Sequence, residues 1–363
     1  MRGADTKQSM MFSTVSPDKR VPKNHPLRRI KELADAALGR LSPTFEVMYS
    51  AVGRPSIPPE RLLKATLLMA LYTVRSERLF CEQLDYNIMF RWFLDMNLDE
   101  PSFDHSTFAK NRERLLEHDI ARQFFFYIVL HAHKLGLLSD EHFTVDGTLI
   151  EAWASLKSFR TKGQKQGDPP DDPGNPAVDF HGEKRSNATH ESTTDPESRL
   201  AKKSRGKEAK LAYCGSVLME NRNGLIVNVH VDTATGTAER TAALEMLDEA
   251  LPGSRRLTLA GDKGFDTRDF IAGCRSRNVT PHVAQNEGRP GGSALDARTT
   301  RQPGYTISQR IRKRVEEVFG WMKTVGNFRR TRYKGRERTH CAAYFVGAAY
   351  NMVRMARLVE QAA

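Results

Sequence analysis

RLTLAGDKGF, Arg256 to Phe265, is a short apolar run, Leu257 to Ala260, that stops abruptly in Gly-Asp-Lys-Gly. A run of that length bounded by glycine predicts a buried strand delivering one carboxylate, Asp262, at its end. A second stretch ends alike: His142-Phe143-Thr144-Val145 leads into Asp146-Gly147-Thr148, again an Asp at the limit of an apolar run with a Gly beside it. If the two strands are neighbours in one sheet their carboxylates converge. Two ionised carboxylates about 4 Å apart at an effective dielectric near 20 repel by roughly 4 kcal/mol. Such a pair needs a cation, and oxygen ligands with no Cys or His cluster nearby favour Mg2+ or Mn2+ over zinc.

The chain has 363 residues, long enough for two domains, and its 39% hydrophobic content suits ordinary cores. Lys plus Arg number 56 against 44 Asp plus Glu, a formal charge of +12, which points to a polyanionic partner such as nucleic acid. The excess is concentrated: between Arg298 and Arg338 there are thirteen Lys or Arg and three Glu. The four cysteines, Cys81, Cys214, Cys274 and Cys341, form no C-x-x-C pair, so neither a disulfide framework nor a zinc site is expected, and a reducing cytoplasm fits. Arg and Lys interrupt every apolar run, so no membrane insertion is expected.

Residues 1 to about 25 are polar, with Pro17 and Pro22, and read as a loose tail. The first firm helix is expected after Pro58-Pro59-Glu60, with Leu62, Leu63, Leu67, Ala70 and Val74 as its core stripe. Further helices are expected from Ser76, after the Asp104 cap, and over Asp119 to Leu135. Residues 1–140 therefore read as an all-helical domain, either a helix-turn-helix DNA reader or a packing and dimerisation bundle. From 141 to 363 strands and helices alternate, indicating a mixed α/β sheet with flanking helices. A polar excursion over about 157–208 reads as extended and mobile. Leu211 to Val231, turning at Asn221-Arg222-Asn223-Gly224, reads as a hairpin, and a helix is expected over Ala238 to Ala250.

A basic helix is expected over Ser308 to Thr324, SQRIRKRVEEVFGWMKT, with Ile311, Val315, Val318 and Met322 as its buried face. Arg312, Glu316 and Lys323 share another stripe. Taken alone, Arg312 and Glu316 are an i, i+4 surface pair worth a few tenths of a kcal/mol. With two strand-end Asp residues before it, this helix is similar to the third element of the DDE transposases of bacterial insertion sequences. VDGTLIEA around Asp146, AGDKGF around Asp262 and the spacing R-x-x-x-E-x-x-x-x-x-x-K resemble the IS-four/IS-five supergroup and its Y-R-E-K signature. TDPESRLAKKSRGKEAK and ENRNGL resemble that group too. The signature Tyr position is Gln309 here, with Tyr305 one helical turn earlier.

The resemblance implies a ribonuclease H-like catalytic domain after the helical one, with Asp146, Asp262 and Glu316 as catalytic residues and as ligands of two Mg2+ (or Mn2+) ions. Glu317 competes with Glu316, but only Glu316 keeps both the Arg and the Lys spacing. It implies phosphoryl transfer that cuts and joins double-stranded DNA at terminal inverted repeats and a target. Arg312 and Lys323 would bind DNA on either side of the cut, with Lys263 as a further phosphate contact. A homodimer is implied, since two transposon ends must be brought together, in a bacterial cytoplasm at the nucleoid. The alternatives are a nuclease of the same fold that never joins strands and a DNA-binding protein that has lost cleavage. Asp266 and Asp269 read as the start of the next helix, Asp232 as the weakest further ligand, and Trp153 and Trp321 as core residues.

Overall fold

The computed structural model describes residues 15–49, 56–163, 185–203, 206–251 and 255–362. Seven helices come first: α1 (Pro17–Arg20), α2 (Pro26–Met48), α3 (Pro59–Leu71), α4 (Glu77–Tyr86), α5 (Ile88–Phe93), α6 (His105–Glu117) and α7 (Ile120–Lys134). Ser76 and Asp104 cap α4 and α6 through their side chains, as their sequence positions predict. The strands are β1 (His142–Glu151), β2 (Phe159–Thr161), β3 (His190–Ser192), β4 (Arg199–Ala201), β5 (Lys210–Glu220), β6 (Ile226–Thr233), β7 (Leu257–Gly261) and β8 (Val279–Val283). Between and after them lie α8 (Ala238–Ala250), α9 (Arg268–Ser276), α10 (Ala297–Thr300), α11 (Pro303–Ile311), α12 (Val315–Thr324) and α13 (Arg336–Ala362).

Six strands form one mixed sheet in the order β4-β5-β1-β7-β8, with β6 also pairing with β5, while β2 and β3 pair separately. β1 runs antiparallel to β5 and parallel to β7, and β7 runs parallel to β8. Alternation along each strand separates two apolar faces. Phe143, Val145, Leu257, Leu259, Val279 and Val283 pack under α8 and α9. Ile150, Val217, Met219 and Val229 join α12, α13 and the N-terminal helices in a second cluster. That second core runs unbroken from the helical region into the sheet.

The hairpin turn is held by Glu220, fully buried, whose carboxylate accepts the amides of Arg222 (2.6 Å) and Asn223 (2.8 Å). Gly224 then takes the left-handed conformation, φ +69. Asn351 of α13 pairs both ways with Ile226 of β6, at 2.9 and 2.7 Å, and so locks the last helix onto the sheet.

Several expectations need correction. α2 and α13 were not expected, although Ile30, Leu33, Ala34, Ala37, Leu38, Leu41 and Phe45 form a buried helical stripe. Pro43 and Gly39 disguise α2, and its N-cap is His25 rather than Ser or Asp. The expected tail is structured where described: Asp18 accepts from Arg28 (2.8 Å) and from Trp92 (3.2 Å), and residues 1–14 lie outside the described residues. The described ends of the polar excursion are likewise ordered. They carry β2, β3 and β4, and Asp195 is buried and accepts from the Tyr213 hydroxyl at 2.6 Å. Residues 164–184 and 204–205 lie outside the described residues. The basic helix starts earlier than expected, at Pro303, and is interrupted by a 3-10 turn, Arg312–Arg314. In α6, Arg112 pairs with Glu77 and Arg114 lies 4.8 Å over the Tyr49 ring. Among the described residues no helix is long and apolar enough to cross a membrane.

Candidate active site

Asp146 stands in the middle of β1, not at its end, because β1 continues to Glu151 along β5. The parallel partner β7 is the strand that ends. Its register pairs Phe143 with Leu259 and Thr144 with Ala260, so two residues further on Asp146 comes level with Asp262, just past the end of β7. Parallel neighbours at one level point to the same face, with strands about 4.8 Å apart. Asp262 is fixed by its own loop: Oδ1 accepts the Gly264 amide at 2.7 Å. Phe265 then folds back against Gly261, where an added Cβ would lie 3.1 Å from its ring, and packs on Phe270 at 5.1 Å. The AGDKGF pattern is therefore a strand stop that aims one carboxylate.

Gly147 explains the other glycine. A Cβ there would fall 2.4 Å from Glu239 Oε1, so only glycine lets Glu239, in the first turn of α8, lie against β1 from the opposite face. Glu239 was not anticipated from the sequence. The hairpin and α8 were, but nothing in one dimension shows which acid of α8 faces the gap.

Burial, reinforced by the charges of Asp262 and Glu239, pushes the Asp146 carboxyl up to about 6; the Gly147 amide (2.8 Å) and Arg312 oppose it. Burial and Asp262 likewise raise Glu239. Among the described residues neither Asp146, Asp262 nor Glu239 is in an ion pair. Because the folded pKa of Asp146 lies above its unfolded value of 3.8, stability falls as pH rises from about 4 to about 6. Asp146→Asn removes that penalty. In chelator-treated protein its Tm is expected to exceed wild type by about 1–3 °C at pH 8 and to match it at pH 4, measured by calorimetry. An equal difference at both pH values would contradict the burial argument.

α11 and α12 cross the face that carries Asp146. Gln309 donates to the His282 carbonyl and accepts from Arg312 Nε at 3.0 Å, and Tyr305 donates to the Val283 carbonyl at 3.0 Å. Arg312 thereby stands at the end of α11 within the field of Asp146. Lys323 donates to Thr148 Oγ1, two residues along β1 from Asp146. Burial, with Lys203 and Arg329 nearby, pulls its pKa below the usual lysine range.

Glu316 lies two helical turns before Lys323 on the same stripe and is exposed. Glu317 shares the stripe of Trp321, which packs edge-on against Tyr350 of α13, and the charge of Glu317 is felt at Tyr350. The structure thus brings Asp146, Asp262 and Arg312 together, adds Glu239, and sets Glu316 apart. Among the described residues no three Asp, Glu, His or Cys side chains are grouped closely enough to hold an ion between them.

Lys263 is exposed beside Asp262. Asp266 does not begin α9; Thr267 caps it. Asp266 is buried and accepts the amides of Asn286 (2.7 Å) and Ala294 (3.0 Å), pinning the loop after β8. Trp153 is not a core residue: it is 47% exposed under Lys334 Nζ, 4.9 Å from its ring. Beside it, Arg330 donates to the carbonyls of Ala152 (3.1 Å) and Trp153 (2.7 Å), so a basic rim borders the end of β1. Asp232 remains apart, its carboxylate accepting the Thr233 amide at 2.6 Å.

Two family profiles match the sequence, Transposase domain (DUF772) over residues 15–114 and Transposase DDE domain over residues 140–352. No curated protein matches. Among solved structures, the piggyBac transposase synaptic complex with hairpin DNA is similar at TM-score 0.40 and 11% identity, over 94% of this chain and 78% of that one. The Mos1 strand transfer complex is similar at TM-score 0.20 and 9% identity, over 84% and 81%. The Mos1 mariner paired end complex with Mn gives TM-score 0.21 and 12% identity, over 93% and 87%. With the DDE profile matching more than half of its length, the chain belongs to the family of the transposase DDE domain.

Proposed function

We propose that this DDE transposase cuts and joins transposon ends with Asp146, Asp262 and Glu316 as its catalytic carboxylates, on a ribonuclease H-like domain that begins near residue 141. The observation that carries the reading is the parallel register that sets Asp146 level with Asp262. Three antiparallel strands, β6, β5 and β1, followed by the parallel β7 and β8, support the fold assignment. The helical residues 1–140 would hold DNA ends and a second protomer, and the spacing of Arg312, Glu316 and Lys323 supports placement in the IS-four/IS-five group.

The donor set fits a hard divalent cation. All its ligand atoms are carboxylate oxygens, Asp262 bonds Gly264 through Oδ1, and the Arg312 guanidinium is felt at Asp146. One or two such ions, Mg2+ or Mn2+, supply charge neutralisation at the phosphodiester and a lowered pKa for the attacking water or 3′-hydroxyl. The chain's own residues do the rest. Asp146 and Asp262 would hold the cation and, through it, set the position of the reacting phosphate relative to the sheet. Glu316 would be the third carboxylate, and Arg312 and Lys323 would hold phosphates on either side. Glu239 adds negative charge beneath Asp146, and Glu239→Gln is expected to weaken Mn2+ binding several-fold by titration calorimetry.

The test is transposition of a marker carried between the DNA segments that flank the reading frame. Joined products at new target sites are expected. Cleaved ends without joined products would favour the nuclease reading.

A further inference from the structure

On the sheet face that carries Asp146, at the opposite ends of the parallel strands, lies a cavity of about 690 Å3. Its floor is His142 of β1, Thr258 of β7 and Thr280 of β8, and its walls carry Arg256, Arg275 and Arg298. Arg256 is held over the floor by a hydrogen bond from Nε to Thr280 Oγ1 at 3.2 Å. Arg275 and Arg298 share a single carboxylate, Asp296, at 2.8 and 3.2 Å. The lining thus carries three guanidinium groups and one acid, with Glu141 3.7 Å from His142 at its edge. Arg298 has 90% of its side chain exposed and Arg275 45%, so their remaining N–H donors are open to a ligand. A planar guanidinium with free donors matches a phosphate bidentately. Gln302 and Gly304, where α11 begins without a side-chain cap, complete the wall and add the positive end of a helix.

The spacing from the carboxylates is set by two independent rulers. Thr258 to Asp262 is four residues of extended chain, about 13 Å. The same wall helix, α11, runs nine residues from the cavity to Arg312, also about 13 Å. At 3.4 Å per base step this is about four steps of a duplex.

We propose that this cavity binds backbone phosphates of duplex DNA about four base steps from the phosphodiester held at Asp146 and Asp262. The proposal rests on reading that pair as the reaction centre. Its test measures binding, not cleavage, so the two can fail separately. Affinity of the full chain for a fluorescent 30-base-pair duplex is measured by anisotropy between about 50 and 200 mM salt without divalent metal. Arg256→Ala with Arg298→Ala is expected to flatten the slope of log K against log salt by about 1.8, two phosphates at 0.9 each, with Tm unchanged. Arg222→Ala with Arg357→Ala, an equal loss of exposed charge at the hairpin turn and on α13, is expected to leave the slope as it is. An unchanged slope in the first variant, or equal flattening in both, would overturn the proposal. So would loss of inorganic phosphate binding with an unchanged DNA slope, which would make the cavity a small-anion site.

Discussion

Alanine at Asp146, Asp262 or Glu316 is expected to slow DNA cleavage by about 10³-fold or more while duplex affinity stays within about twofold. Charge stabilisation of a phosphoryl group by a bound cation is worth several kcal/mol. Each 1.36 kcal/mol lost is about tenfold in rate. Affinity is expected to be held elsewhere, in the concentration of Lys and Arg between Arg298 and Arg338. Glu317→Ala is the matched control. It removes an equal charge one residue away, on the stripe that faces Trp321 and Tyr350, and is expected to cleave at close to the wild-type rate. Cleavage retained by Glu316→Ala and lost by Glu317→Ala, followed on a labelled duplex in a gel assay, would reverse the assignment on α12.

Removing Arg312 and Lys323 together is expected to flatten the salt dependence of DNA binding by about 1.8 in log K against log salt. Both side chains are placed for this by protein contacts rather than left to solvent: Arg312 by Gln309 and Lys323 by Thr148. Arg312 acts on Asp146 from the turn between α11 and α12, and Lys323 reaches β1 two residues beyond Asp146. An anisotropy titration of the double alanine variant checks it. If Arg312 were only the surface partner of Glu316, the slope would not move and stability would fall by a few tenths of a kcal/mol. No ion pair between Arg312 and Glu316 is formed among the described residues, where Arg312 is engaged with Gln309 instead.

How far the sequence could be read depended on whether a feature was local. Strand stops, caps and helical stripes are written in a few adjacent residues. The hairpin and α8 over Ala238–Ala250 therefore appear where periodicity and turn chemistry put them. The resemblance to DDE transposases, carried by three short motifs, agrees with the DDE profile match. What could not be read depends on contacts between distant segments. Gly147 is legible as a strand glycine, but that it clears a place for Glu239 is visible only when α8 lies on β1. Asp266 looks like a helix-start acid and instead satisfies two loop amides from beyond β8. Trp153 looks like core because it is apolar, yet it is 47% exposed, with the Lys334 ammonium over its ring. α13 was missed although its Tyr350 and Asn351 bond directly to the backbone of the hairpin.

The central claim is that Asp146 and Asp262 together hold the divalent cation that acts on DNA. Anomalous diffraction from crystals of the full chain with duplex DNA and Mn2+ tests it most directly. The account predicts an anomalous peak beside Asp146 and Asp262 that disappears in Asp262→Ala crystals. A peak that persists in that variant, or Mn2+ bound only at other side chains, would contradict it.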